Sequence, residues 1–260
     1  MKALIAGNPY HPLGKSLQDY LSSTPPRAEV FMTDDLLYAA VFSVYDSQRL
    51  RWVNATLGQT EFDVIYYLMQ DPNNLLDAEG KNLSAAIRLA MHNNALLILV
   101  SGPEALCATR LYPTLPDNEA SYGGILVAAE RLVGAYMKGI IIRVPLTCED
   151  AKIKELLAMT EIPVGGHDYR FSLADVAEVA KILAEAGNSA WYGSHNMDSG
   201  SPLKLSNYVP VRGNVSPIIY DYSLSPCRSL LPRLPTPAFR VWDKLKGISS
   251  ENKNRADRQR

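Results

Sequence analysis

Cysteine is scarce in this chain and scattered where it occurs. Cys107, Cys148 and Cys227 are odd in number and far apart. That excludes a disulfide framework and gives no metal-ligand spacing, so reduced thiols in a cytoplasmic protein are expected. An excess of charge is also lacking: 26 Lys and Arg oppose 27 Asp and Glu, for a net charge of −1. No global basic field is present to attract nucleic acid or an anionic membrane. No apolar run approaches the ~18 residues of a membrane span. The opening stretch, Met1 to Gly7, is too short for a signal-peptide core, and none is expected. Histidine is limited to His11, His92, His167 and His195, with no pair spaced for a metal. A Gly-x-Ser-x-Gly elbow is missing, so a hydrolase of the α/β type would have no nucleophile.

What is present is a regular succession of short apolar runs and amphipathic segments. Strands are expected at Lys2–Ala6, Glu29–Thr33, Glu61–Met69, Leu96–Val100 and Gly139–Val144. Helices are expected between them, at Lys15–Leu21, Ser47–Leu57, Leu76–His92 and Tyr122–Lys138. The strands are continuously apolar rather than alternating, as in a parallel sheet covered on both faces. Right-handed crossovers then make a doubly wound, Rossmann-like α/β sheet the economical topology. Three parts are expected: a nucleotide-binding core over 1–150, a returning helix plus a small loop-rich substrate lobe over 151–250, and a flexible tail over 251–260. The returning helix is expected at Leu173–Glu185, capped by Ser172. In the lobe, only short segments such as Val215–Tyr220 are suited to pair as strands.

The order of motifs resembles a known family. "KALIAGNPYHPLG" resembles a first strand and glycine loop, and "EGKNLSAAIRLA" a helix carrying a structural asparagine, here Asn82. "LLILVSGPEAL" resembles a strand ending in a catalytic Ser or Thr, here Ser101. "ASYGGILVAAERLV" resembles a Tyr-x-x-x-Lys helix, and "FSLADVAEVAKIL" the helix that returns toward the active site. Together these segments resemble an extended or atypical short-chain dehydrogenase/reductase, nearest to the dTDP-4-dehydrorhamnose reductase group. The resemblance implies catalytic roles for Tyr122, Ser101 and Asn82. It also implies an NAD(P) site at Gly7, Tyr10, Gly14, Lys15 and Asp34. Asp34, at the end of the second strand, stands where an acid binds ribose hydroxyls, which favours NAD over NADP. Arg143 and His167 are the substrate-pocket candidates, with Asp168 placed to orient the His167 ring.

Two departures weigh against the family's chemistry. The middle glycine of the cofactor loop is replaced by Asn8-Pro9-Tyr10-His11-Pro12-Leu13, and proline has no N–H to offer a phosphate. Nucleotide binding and a purely structural turn both remain open for this loop. The lysine that would lower the tyrosine pKa is Leu126, and an apolar group cannot favour a phenolate. Glu130, if close to Tyr122, would push that pKa the wrong way. The expected protein is therefore a catalytically degenerate relative of sugar-nucleotide reductases and epimerases, with a regulatory, scaffolding or binding role. Two alternatives stand beside it. One is an NAD(P)-dependent oxidoreductase using Tyr122 and Ser101 on a sugar nucleotide or small carbonyl compound. The other is a cofactor-independent isomerase or cyclase. The expected partners are a small-molecule or nucleotide ligand, a protein partner, and a second copy of the chain in a homo-oligomer. Neither nucleic acid nor membrane is expected.

Overall fold

The computed structural model describes residues 1–34, 36, 61–69, 76–108, 117–147, 150–189, 191–197, 199–214, 219–224, 234, 236 and 238–246. The expected helix at 47–57 and the tail at 251–260 lie outside these residues. In chain order, the first elements are β1 (Lys2–Gly7), α1 (Pro12–Ser23), β2 (Glu29–Thr33) and β3 (Val64–Leu68). There follow α2 (Leu76–Asn93), β4 (Leu96–Ser101), α3 (Glu104–Ala108), α4 (Asp117–Gly134) and β5 (Gly139–Arg143). Next come β6 (Leu146–Thr147), α5 (Ala151–Ala158), β7 (Asp168–Phe171), β8 (Leu173–Ala174) and α6 (Val176–Gly187). The remainder is β9 (Gly193–Asn196), β10 (Leu203–Lys204), β11 (Ile219–Tyr222) and a closing helix α7 at 238–246.

The chain divides into two compact units that share its length in alternation. The first holds Met1–Ser101, Ile125–Ile142 and Ala180–His195, and the second Gly102–Gly124, Arg143–Val179 and Asn196–Arg260. In the first, a six-stranded sheet runs in the order β2-β1-β3-β4-β5-β9. β1 pairs in parallel with β2 and β3, and β3 in parallel with β4. One face of this sheet presents Leu4, Ala6, Ile65, Tyr67, Leu97 and Leu99. Leu83, Ala86 and Ala90 of α2 and Ala129 and Val133 of α4 pack on it. The three alanines among these helix residues let the helices approach the larger leucine, isoleucine and tyrosine side chains of the strands closely. On the other face lies the end of α6, where a Cβ on Gly187 would fall 2.0 Å from the Tyr66 hydroxyl. Covering both faces explains why the strands read as continuous apolar runs. The result is a mostly parallel, Rossmann-like α/β sheet.

In the second unit, β7 pairs antiparallel with β10 and parallel with β11, and β6 pairs with β8. Its core gathers Ile153 and Leu156 of α5, Phe171 and Tyr222 of the small sheet, and Val241 and Trp242 of α7. Phe171 and Trp242 meet at a centroid distance of 5.4 Å.

Several local expectations are corrected. The returning helix begins at Val176, not Leu173, because Leu173 and Ala174 pair with Leu146 and Thr147. Its first turn is capped by Asp175, whose Oδ1 accepts from the Ala177 amide at 2.9 Å, not by Ser172. The Ser172 hydroxyl instead accepts the Leu224 amide at 3.0 Å. Helix α4 starts at Asp117, before Tyr122, and ends at Gly134. Strands β7 and β9 carry no apolar run, and the sequence alone did not mark them.

Candidate functional site

The first unit brings together the loop after β1, the end of β2, Asn82 and Ser101. Order in the sheet reverses between β1 and β3, the topological switch point at which open α/β sheets bind ligands beyond the strand ends. At that point Gly7 has a φ of +86°, and a Cβ on it would fall 2.0 Å from the Leu68 carbonyl oxygen. Only glycine suits this position. The Asn8 amide donates to the same Leu68 oxygen at 2.9 Å, which ties the loop to β3.

Part of the rest of the loop is bonded internally. The His11 amide donates to the Asn8 carbonyl and the Lys15 amide to the His11 carbonyl. His11 is also the N-cap of α1: its Nδ1 accepts the Leu13 amide at 3.3 Å. Gly14 is buried, and a Cβ there would fall 2.1 Å from the Pro9 carbonyl oxygen. This glycine therefore admits the loop's own backbone against the first turn of α1. Lys15 is exposed, and Tyr10 is 55% exposed.

Asp34 is exposed at the end of β2. Buried Asn82 reaches it from α2: its Nδ2 donates to the Asp34 carbonyl at 2.9 Å, and its Oδ1 accepts the Leu36 amide at 2.7 Å. Both ends of the amide are thus spent on the backbone that follows β2. That use holds the chain in place next to the expected ribose position.

Ser101 closes β4 with 3% exposure, and its hydroxyl donates to Glu130 Oε1 at 2.7 Å. Glu130 is itself only 8% exposed. A serine hydroxyl has one proton, so the bond leaves Ser101 with lone pairs to offer and no donor. A donor is what polarising a substrate carbonyl requires. The sequence raised Glu130 only as a neighbour of Tyr122 if the two were close, and did not reveal this partner. The signal was available: Leu126, Ala129, Glu130 and Val133 form the buried stripe of α4, and a carboxylate on an apolar stripe calls for a buried partner. Leu126, which stands where the resemblance led to a lysine being expected, is 1% exposed.

In the second unit, Tyr122 is half-buried on the first half of α4. Arg143 at the end of β5 donates from a guanidinium nitrogen to Asn196 Oδ1 at 3.1 Å. His167 packs on the Tyr220 ring at 4.4 Å, and its buried Nδ1 has no hydrogen-bond partner among the described residues. Asp168 does not orient it. Its Oδ1 accepts the amides of Tyr169 and Ser206, and its Oδ2 lies 3.4 Å from Lys204 Nζ. Among the described residues no group of three His, Cys, Asp or Glu could hold a metal, and no helix is long and apolar enough to cross a membrane.

The residues of the β1–α1 loop do not fit a dinucleotide. A pyrophosphate is held by loop and helix N-terminal amides that face it. Here Pro9 and Pro12 have no amide hydrogen, and the amides of Asn8, His11 and Leu13 are bonded within the protein.

No family model and no curated protein matches the sequence. Solved structures do match in fold. A dTDP-4-dehydrorhamnose reductase from Bacillus anthracis, in complex with NADP, superposes with a TM-score of 0.62 at 14% identity, over 96% of this chain and 99% of that one. The dTDP-4-dehydrorhamnose reductase of Yersinia enterocolitica gives 0.63 at 17% identity, over 95% and 97%. A dTDP-glucose 4,6-dehydratase from Bacillus anthracis, in complex with NAD, gives 0.59 at 12% identity, over 94% and 89%. The chain therefore has the fold of dTDP-4-dehydrorhamnose reductases and related sugar-nucleotide enzymes.

Proposed function

We propose that this protein is a catalytically degenerate relative of the NAD(P)-dependent sugar-nucleotide reductases and epimerases, with a regulatory, scaffolding or binding role in place of hydride transfer. The observation that carries this reading is the Ser101–Glu130 bond, which takes up the proton that a carbonyl-polarising serine would donate. Leu126 supports it from the other side, since a buried leucine gives the Tyr122 phenol no ammonium to lower its pKa. In this reading the protein is cytoplasmic and homo-oligomeric, pairing through the stretch from Tyr122 to Lys138. It acts on a small-molecule or nucleotide ligand, or on a protein partner.

A second reading, an NAD(P)-dependent oxidoreductase acting through Tyr122 and Ser101, is favoured by the fold it shares with a reductase solved with NADP. In that case Asp34, exposed at the end of β2, would favour NAD. The two readings separate when the protein is incubated with NADH or NADPH and a dTDP-4-keto-6-deoxyhexose, and the nucleotide sugar is then chromatographed. Unchanged sugar is expected. A reduced or epimerised product that disappears in Tyr122→Phe would establish the second reading instead.

A further inference from the structure

We infer that the β1–α1 turn is a closed structural cap that excludes the pyrophosphate of a dinucleotide. This deepens the functional reading above and rests on separate residues. A phosphate cradle offers several unspent amides and a backbone bare enough for close approach. In this turn, the amides of Asn8, His11 and Leu13 are spent on Leu68, Asn8 and His11 Nδ1, and that of Lys15 makes the first regular bond of the helix, to the His11 carbonyl. Two more positions are proline. Only Tyr10 and Gly14 have amides that these bonds do not use.

The first turn of α1 is filled as well as spent. The Pro9 carbonyl oxygen occupies the space that a Cβ on Gly14 would take. The loop backbone at Pro9 therefore packs directly against the first turn of α1 beside Gly14. The His11 ring caps the same turn and takes the place of an anion by accepting the Leu13 amide. Of the donors that a helix N-terminus leaves for a phosphate, Pro12 has none, and those of His11 and Leu13 are spent within the chain, which leaves the Gly14 amide. Lys15 is exposed, yet a single flexible ammonium does not replace a set of fixed amides.

The test is titration of the full-length, isotopically labelled protein with NADH and with NADPH. Calorimetry reads the affinity, and the backbone amide resonances of Leu13, Gly14 and Lys15 read the location. A closed cap predicts that these three resonances stay in place up to millimolar dinucleotide, whether or not heat is released by binding elsewhere. Saturable micromolar binding that shifts them would overturn the inference. Turnover is measured separately. A dinucleotide held in the turn without turnover would defeat this inference and leave the degenerate reading standing. Turnover with the turn undisturbed would do the reverse.

Discussion

The Ser101 hydroxyl lies 2.7 Å from the Glu130 carboxylate, with both residues buried in the first unit. A hydrogen bond to a charged group of this kind contributes about 1.5–3 kcal/mol, and deleting one partner leaves the other buried with a vacant bonding site. Ser101→Ala and Glu130→Ala are therefore expected to couple by about 1.5–3 kcal/mol in a double-mutant cycle read by urea denaturation. Glu130→Gln keeps an acceptor oxygen and is expected to retain most of that stability. Additive single substitutions would remove this bond from the account.

Asn82 bridges the Asp34 carbonyl and the Leu36 amide. Asn82→Ala leaves the buried Leu36 amide without its acceptor, at an expected cost of about 1–3 kcal/mol. Hydrogen exchange at Leu36 should rise in this variant, with strands β3 and β4 keeping their protection. If Leu36 keeps its protection, the clamp is not what holds this segment.

Burial pushes the Tyr66 phenol above its ordinary value, and its hydroxyl has no hydrogen-bond partner among the described residues. A phenol whose pKa is raised by folding contributes stability that is fully present below the unfolded value of about 10 and is lost as pH rises toward the folded value. The wild type should therefore lose stability above about pH 10 more steeply than Tyr66→Phe. Burial also raises Tyr136 and, with Asp243 adding to it, Tyr208, so the difference between the two proteins isolates Tyr66. Near neutral pH, removing an unpartnered hydroxyl should be neutral or stabilising by up to about 1 kcal/mol. A clear loss of stability would mean that the hydroxyl is satisfied.

The same hydroxyl sets the size limit at the end of α6. Gly187→Ala places a Cβ 2.0 Å from the Tyr66 hydroxyl and 3.0 Å from the ring carbon that bears it. Overpacking of this kind costs about 1–3 kcal/mol. Tyr66→Phe should recover part of that cost, because the closer contact vanishes and the 3.0 Å contact stays. Thermal denaturation of the four proteins in the cycle reads the recovery, and strict additivity would contradict it.

His11 caps α1 through its ring nitrogen. Loss of an N-cap side chain costs about 0.5–2 kcal/mol, so His11→Ala is expected to fall in that range and His11→Asn to keep most of the stability. Equal stability of the two variants would show that the cap contributes nothing.

The doubly wound sheet was legible in the sequence because burial on both faces writes itself as continuous apolar runs. Lys2–Ala6, Leu96–Val100 and the start of the fifth strand at Gly139 read directly for this reason. Strands β7 and β9 were not legible: "DYRF" has only the two alternate aromatics Tyr169 and Phe171, "GSHN" has no apolar residue, and both strands are held by pairing with neighbours distant in sequence. Ser172 has the chemistry of a cap, yet its hydroxyl accepts from Leu224, 52 residues away. Local propensity gave way to long-range pairing there. At the candidate site, the missing glycine and the leucine at 126 were visible as changes of residue type. What the sequence could not supply was where the freed hydrogen bonds go: Leu13 to His11, Asn82 to the backbone after β2, and Ser101 to Glu130.

The most direct measurement is of the Ser101 hydroxyl proton itself, by proton NMR of the selectively serine-labelled protein in water. A proton committed to a buried carboxylate exchanges slowly, so a hydroxyl resonance correlated with Ser101 Cβ is predicted at neutral pH and is lost in Glu130→Leu. A Ser101 hydroxyl that exchanges with solvent too fast to observe in the wild type would contradict the account. It would mean that the proton is not held by Glu130 and remains available to another acceptor.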